Sequence, residues 1–214
     1  MTFLRVNELF VSIQGESSHA GLACAFVRLT GCPLECAWCD TAHARHEGRP
    51  LALGAVVDWV AGQGVGLAEV TGGEPLAQEA APALISALCD RGLTVLVETS
   101  GALDITVVDR RARVIMDVKC PSSGMHQRLL LANLGHLQAK DETKFVLADR
   151  ADYEYARSFM ARHGLAGRCQ VLLSTVTGRL APAQAVAWML EDRLPARFQL
   201  QMHKYIWPGV ERGV

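Results

Sequence analysis

Short apolar runs alternate along this chain with stretches of helical spacing. Residues 24–30, centred on Ala25-Phe-Val-Arg-Leu-Thr30, have the length and β-branched content of a buried strand. A polar stretch follows, and residues 51–62 then carry Ala, Val and Trp at a spacing that suits a helix. Leu67-Ala-Glu-Val-Thr71 predicts a second strand that stops at Gly72-Gly73-Glu74-Pro75. Residues 77–91 read as an Ala-rich helix closed by Gly92, the residue type expected just past a helix end. Further strands are predicted over 94–98, 113–118, 143–147 and 169–173. Helices are predicted over about 151–163 and 182–191, the latter with Pro182 in its first turn. Residues 197–202 read as one more strand.

Strands alternating with helices imply a parallel sheet with right-handed crossovers. About six such units fall short of an eight-fold barrel, which typically needs about 250 residues. The expected fold is therefore α/β: a partial, open TIM-like barrel of about six parallel strands with helices outside. No repeat, linker or low-complexity segment divides the chain, so residues 1–214 are expected to form one domain. In such folds sites form at the carboxyl ends of strands. The polar and Gly-rich stretches that follow the first three strands are thus expected to share one rim.

Composition narrows the functional classes. With 50% hydrophobic and 20% charged residues and a net charge of −1, the chain has no block of like charge. Neither nucleic acid nor an anionic membrane is an expected partner. No apolar stretch reaches the ~18 residues of a membrane span, and the N-terminus lacks a signal-peptide pattern, so a cytoplasmic location is expected. Seven cysteines, three of them crowded together, argue against a disulfide framework. Cys24, Cys89, Cys120 and Cys169 lie in or beside apolar runs and read as small buried hydrophobes.

The crowded three are Cys32, Cys36 and Cys39, at C-x3-C-x2-C spacing on the loop after the first strand. Thiolates favour soft centres: an iron–sulfur cluster, zinc or copper(I). Three protein ligands on a four-iron cube leave one iron open to a further ligand. A closed zinc site completed by His43 or His46 is the structural alternative. Two other strand ends add to the picture. Gly72 and Gly73 let backbone approach a ligand closely, and Glu98-Thr-Ser-Gly101 supplies a carboxylate and hydroxyls suited to ribose or an amino group.

Three cysteines at this spacing, Trp38 before the third, and a Gly-Gly-Glu-Pro strand end together resemble the radical S-adenosylmethionine enzymes. Gln14-Gly-Glu16, Arg28, Cys39-Asp-Thr41, Glu98-Thr-Ser-Gly101 and His203-Lys-Tyr205 narrow the resemblance to the 7-carboxy-7-deazaguanine synthase family. It runs from about Val6 to the end of the chain. That resemblance implies a [4Fe–4S] cluster on Cys32, Cys36 and Cys39. It implies that S-adenosyl-L-methionine is bound by Trp38, Asp40, Gly72, Gly73 and Glu74, with Glu98, Ser100 and Lys119. Thr41 would be a ligand of Mg2+. Substrate contacts would come from Ile13, Gln14, Gly15 and Glu16, and from Arg28, Thr71 and His203.

The resemblance implies conversion of 6-carboxy-5,6,7,8-tetrahydropterin to 7-carboxy-7-deazaguanine with loss of ammonia, on the route to queuosine and other 7-deazapurines. It further implies a homodimer and an external electron donor of flavodoxin or ferredoxin type. No catalytic side chain is implied beyond the cofactor and substrate ligands. The residue types suit this. Arg28 offers a fork of donors for a carboxylate, and Gln14 and Glu16 match the donors and acceptors of a pterin edge. Two features depart from other members: Asp117-Val-Lys119 stands where some have Ser-Pro-Lys, and the chain continues past His203 through Trp207-Pro208 to Val214. Two other readings remain: an activase of a glycyl-radical enzyme, which would not need Gln14-Gly-Glu16 or the His203 tail, and a zinc-stabilised binding module without catalysis.

Overall fold

Nine strands form one sheet in the computed structural model, which describes residues 2–214. They are β1 (Phe3–Ile13), β2 (Ala23–Leu29), β3 (Arg49–Ala52), β4 (Leu67–Gly72), β5 (Thr94–Thr99), β6 (Arg113–Asp117), β7 (Glu142–Leu147), β8 (Gln170–Thr175) and β9 (Arg197–Phe198). Their order across the sheet is β3-β1-β2-β4-β5-β6-β7-β8-β9, so β3 and β9 are edges and the sheet stays open. Neighbours from β2 to β9 are parallel, whereas β1 pairs antiparallel with both β2 and β3. The six expected parallel strands are β2 and β4 to β8. The antiparallel flank was not expected, and β9 is only two residues of the strand predicted over 197–202.

Helices α1 (Leu53–Ala61), α2 (Ala81–Asp90), α3 (Arg150–His163) and α4 (Pro182–Glu191) make the crossovers, and α5 (Met202–Ile206) follows β9. Helix α2 starts four residues later than predicted. Pro82 explains this: a proline lacks an N–H and clashes with the carbonyl one turn back, so it sits in the first turn rather than the interior. The crossovers from β5 to β6 and from β6 to β7 contain no α-helix, only short 3-10 turns. Asn133, fully buried, holds them together. Its amide donates to the carbonyls of Gly101 (3.0 Å) and Leu103 (2.7 Å), and its oxygen accepts from the Ile105 amide (3.2 Å).

Alternation along the strands divides the sheet into two faces. Ala25, Val27, Leu29, Val70, Val97, Met116, Phe145 and Leu173 pack under the helices in one continuous core. The opposite, concave face is apolar towards the strand starts, where Cys24, Phe26, Leu67, Leu96 and Ile115 cluster against Phe10. Two residues further along the same strands, the same face becomes polar, with Arg28, Glu69, Glu98 and Asp117. A floor of hydrocarbon thus supports a charged rim.

Strand β1 serves both faces through a bulge. Its register against β2 slips between Val6, opposite Leu29, and Glu8, opposite Arg28. Before the slip, Leu4 and Val6 enter the helix-side core; after it, Glu8 and Phe10 turn to the concave side. Replacing Asn133 by Ala strands the carbonyls and the amide it serves and is expected to cost about 3 kcal/mol. A thermal melt of Asn133→Ala that matches the parent would show that the turns between β5 and β7 are held otherwise.

Candidate active site

The cysteine loop leaves β2 at Thr30 and lies over the carboxyl ends of β4 to β6. Cys32, Cys36 and Cys39 are free, half-buried and face one cleft. The loop is tied down by backbone bonds: Cys39 N to Cys36 O (3.3 Å), Ala37 N to Ser123 O (3.1 Å) and Gly31 N to Ala44 O (2.8 Å). Trp38 donates its indole N–H to Ser122 Oγ (3.1 Å), and Lys119 Nζ stands 5.4 Å from the ring centroid. Burial disfavours the Lys119 ammonium, but Asp117 at 2.8 Å and the nearby Cys36 outweigh it and raise its pKa. Burial also pushes the Cys32 and Cys36 thiols up.

The donor set fits a cluster better than a single ion. Among the described residues, no three His, Cys, Asp or Glu side chains converge on one metal position. His43 turns to Glu8 (3.6 Å) rather than to the thiols. A cube whose irons are separate takes one thiolate on each, which three spaced thiols facing one cleft can supply.

Gly72 and Gly73 are required by the protein itself. A Cβ on Gly72 would lie 2.4 Å from the Leu29 carbonyl oxygen, and one on Gly73 would lie 2.3 Å from the Gly31 oxygen and 2.8 Å from Cys32 Cβ. Backbone bonds from Gly73 N to Leu29 O (3.2 Å) and Glu74 N to Gly31 O (2.7 Å) close the contact. The Glu74 side chain is the one predicted site residue that the structure does not bring to the cleft. Fully buried, its carboxylate accepts from the Ser100 amide (2.7 Å), the Ser100 hydroxyl (2.5 Å) and the Thr99 hydroxyl (2.9 Å). These bonds tie it to the end of β5.

All the other predicted positions line the cleft. Arg28 gives its Nε to Glu8 (2.9 Å) and lies 5.7 Å over the Phe10 ring, which leaves the end of its fork free. Glu16 accepts from Lys144 (2.9 Å) and from Gln201 Nε2 (2.9 Å). The tail docks against this arm: Met202 N donates to Gly15 O (2.9 Å), and a Cβ on Gly15 would come within 2.5 Å of His203 Nδ1. Burial lowers the His203 pKa. Lys204 reaches across to Asp40 (2.9 Å), and Val214 lines the cleft as well.

Charge is balanced tightly below these groups. Burial opposes the Lys144 ammonium, yet Glu16, Glu98 and Asp117 raise its pKa well above the usual lysine range. Glu69 feels Lys144 and Arg28 only as weaker opposing charges. Burial, reinforced by the Glu98 charge, pushes its carboxyl well above the usual range, and it bonds to the Gln14 amide.

No family model matches the chain. A 7-carboxy-7-deazaguanine synthase from Chlorobaculum tepidum is 46% identical over 214 residues, covering 99% of this chain and 97% of its own. Another, from Koribacter versatilis, is 40% identical over 228 residues and covers 99% and 100%. The chain belongs to the 7-carboxy-7-deazaguanine synthase family. Among solved structures, QueE from Escherichia coli matches with a TM-score of 0.76 over 94% of this chain and 95% of that one, at 22% identity, which shows the same fold.

Two further residues of the cleft, Glu69 and Lys144, carry a signal in the sequence. Glu69 lies two positions before Thr71 on a strand, hence on the same face, and Lys144 interrupts an otherwise apolar run. Arg45 lines the cleft of this 7-carboxy-7-deazaguanine synthase family member with its Nε buried and unpartnered. No local pattern pointed to it, or to Glu8 and Gln201.

Two outcomes follow from this geometry. Gly73→Ala must displace the Gly31 carbonyl or the Cys32 side chain, and is expected to lower stability by about 1–3 kcal/mol in a thermal melt. For Glu69, the native pKa lies above the unfolded one, so the folded chain keeps a proton that the unfolded chain releases. Its contribution therefore turns more unfavourable as pH rises through that interval. Glu69→Gln should raise the melting temperature over the parent by more at about pH 8 than at about pH 5. Equal differences at both would contradict a protonated Glu69.

Proposed function

We propose that the chain converts 6-carboxy-5,6,7,8-tetrahydropterin to 7-carboxy-7-deazaguanine with loss of ammonia. One observation carries this reading. Stretches far apart in sequence, namely Gln14-Gly-Glu16, Arg28, the cysteine loop, Thr71-Gly-Gly73, Glu98 and His203, face a single cleft at the strand ends. The relatives' shared name and near-complete coverage support it.

In this reading Cys32, Cys36 and Cys39 would hold a [4Fe–4S] cluster, and Trp38, Asp40, Gly72, Gly73, Glu74, Glu98, Ser100 and Lys119 would hold S-adenosylmethionine. When bound, these groups would supply the radical chemistry that side chains alone cannot provide. The protein's own residues do the rest. Trp38, fixed by Ser122, offers an aromatic face for the adenine, and Glu98 and Ser100 offer acceptors for ribose hydroxyls or the amino group. Arg28, braced by Glu8, presents the free end of its guanidinium to the substrate carboxylate. Gln14, Glu16 and the backbone at Ile13 and Gly15 read the pterin edge, with Thr71 and His203 beside them. Thr41 would give Mg2+ one hard oxygen, with the substrate carboxylate and water completing its coordination. The apolar floor keeps the reacting atoms dry.

The same reading includes a homodimer, an external donor of flavodoxin or ferredoxin type, and a reducing cytoplasmic setting that keeps the thiols free. Among the described residues, no helix is long and apolar enough to cross a membrane. Anaerobically reconstituted protein is expected to carry about four irons per chain and, given S-adenosylmethionine, Mg2+ and a reductant, to form 7-carboxy-7-deazaguanine and ammonia. Cleavage of S-adenosylmethionine without that product would refute the substrate and favour action on a partner protein. Stoichiometric zinc with no cluster forming would refute the whole reading.

A further inference from the structure

Lys144 belongs to none of the groups just assigned, yet it is the most connected charge in the cleft. It is 4% exposed, and its Nζ lies 2.9 Å from Glu16 Oε2, pairs with Glu98 Oε1 and lies 3.7 Å from Asp117 Oδ2. The three carboxylates come from the arm after β1, from β5 and from β6. An ammonium has three donors in a compact head and can meet all three only if each carboxylate turns one oxygen inward. Without it, like charges would crowd a poorly solvated floor and swing apart or take up protons.

What the other oxygens do is informative. Glu16 keeps Oε1 on the neutral amide of Gln201 (2.9 Å), and Glu98 keeps Oε2 near the Thr71 hydroxyl (3.4 Å). In both carboxylates the inner oxygen takes the Lys144 charge, with Gln199 Nε2 also 3.4 Å from Glu16 Oε2, and the outer one takes a neutral donor that a ligand's N–H or O–H can replace or join. We propose that Lys144 is a positioning residue for two ligands at once. It fixes Glu16 to receive the N–H donors of the pterin and fixes Glu98 to receive the hydroxyls or amine of the nucleoside cofactor. Lys144 itself contacts neither ligand. This rests on the reading above, in which Glu16 faces the pterin and Glu98 the cofactor.

Calorimetry on cluster-loaded enzyme without reductant tests it, titrating 6-carboxytetrahydropterin and S-adenosylmethionine separately. Glu16→Gln is expected to weaken the pterin alone and Glu98→Gln the cofactor alone. Lys144→Met is expected to weaken both by about tenfold or more. Because Lys144 acts through these carboxylates, the losses must not add. Glu16→Gln with Lys144→Met should bind the pterin as Glu16→Gln does, and Glu98→Gln with Lys144→Met should bind the cofactor as Glu98→Gln does. If Lys144→Met alone does not fold, the comparison between Glu98→Gln with and without it still decides, since the pterin must weaken about tenfold in the double variant. Loss of one ligand only, or losses that add in full, would overturn the proposal. Glu16→Gln and Glu98→Gln variants that bind both ligands like the parent would instead overturn the reading beneath it.

Discussion

The cleft depends on how closely the ends of β2 and β4 approach each other. Gly73 stands against the Gly31 carbonyl at a distance that no side chain tolerates, and Glu74 N caps that same carbonyl. This contact sets the height of the cysteine loop above the sheet. Everything else on the rim is measured from it: the end of β5 is tied to Glu74, and the indole of Trp38 is tied to the loop after β6. A backbone-to-backbone junction is a stiff reference point, because it has no rotamers to vary. Side chains that must hold two ligands in register are well placed on strands that share such a reference.

Much of this was legible in the sequence. The six parallel strands are short apolar runs, and their carboxyl ends carry the polar residues that a parallel sheet brings to one rim. The structure adds the faces: Arg28, Thr71 and Glu98 fall on the polar side of their strands. The antiparallel strand β1 was missed for a specific reason. Its bulge shifts the alternation between Val6 and Glu8, so no single period runs through Phe3–Ile13, and Arg5, Asn7 and Glu8 break the apolar run. The turn of the Glu74 side chain towards β5 was not legible, because a motif shows which residue is present and not which way its side chain points. Contacts such as Lys204 with Asp40 join residues whose local surroundings give no hint of each other.

The missing helices also have a physical account. Between β5 and β7 the chain covers the sheet with 3-10 turns, whose carbonyls and amides need partners that an α-helix would satisfy internally. Asn133 supplies several of them from one buried amide. The same region delivers Ser122 and Lys119 to Trp38, so the segment that replaces a helix also finishes one wall of the cleft.

The docked tail has a consequence for the order in which the site comes into being. A ribosome makes the chain from its N-terminus, so the cysteine loop is complete long before Gln201, His203 and Lys204 exist. Asp40 and Lys204 are 164 residues apart. At synthesis rates of roughly 5–20 residues per second, the thiols wait on the order of ten seconds or more beside a wall not yet built. Closure over Glu16 and Asp40 therefore comes late in synthesis, and the nascent cleft is widest during the interval in which its cysteine loop first becomes available.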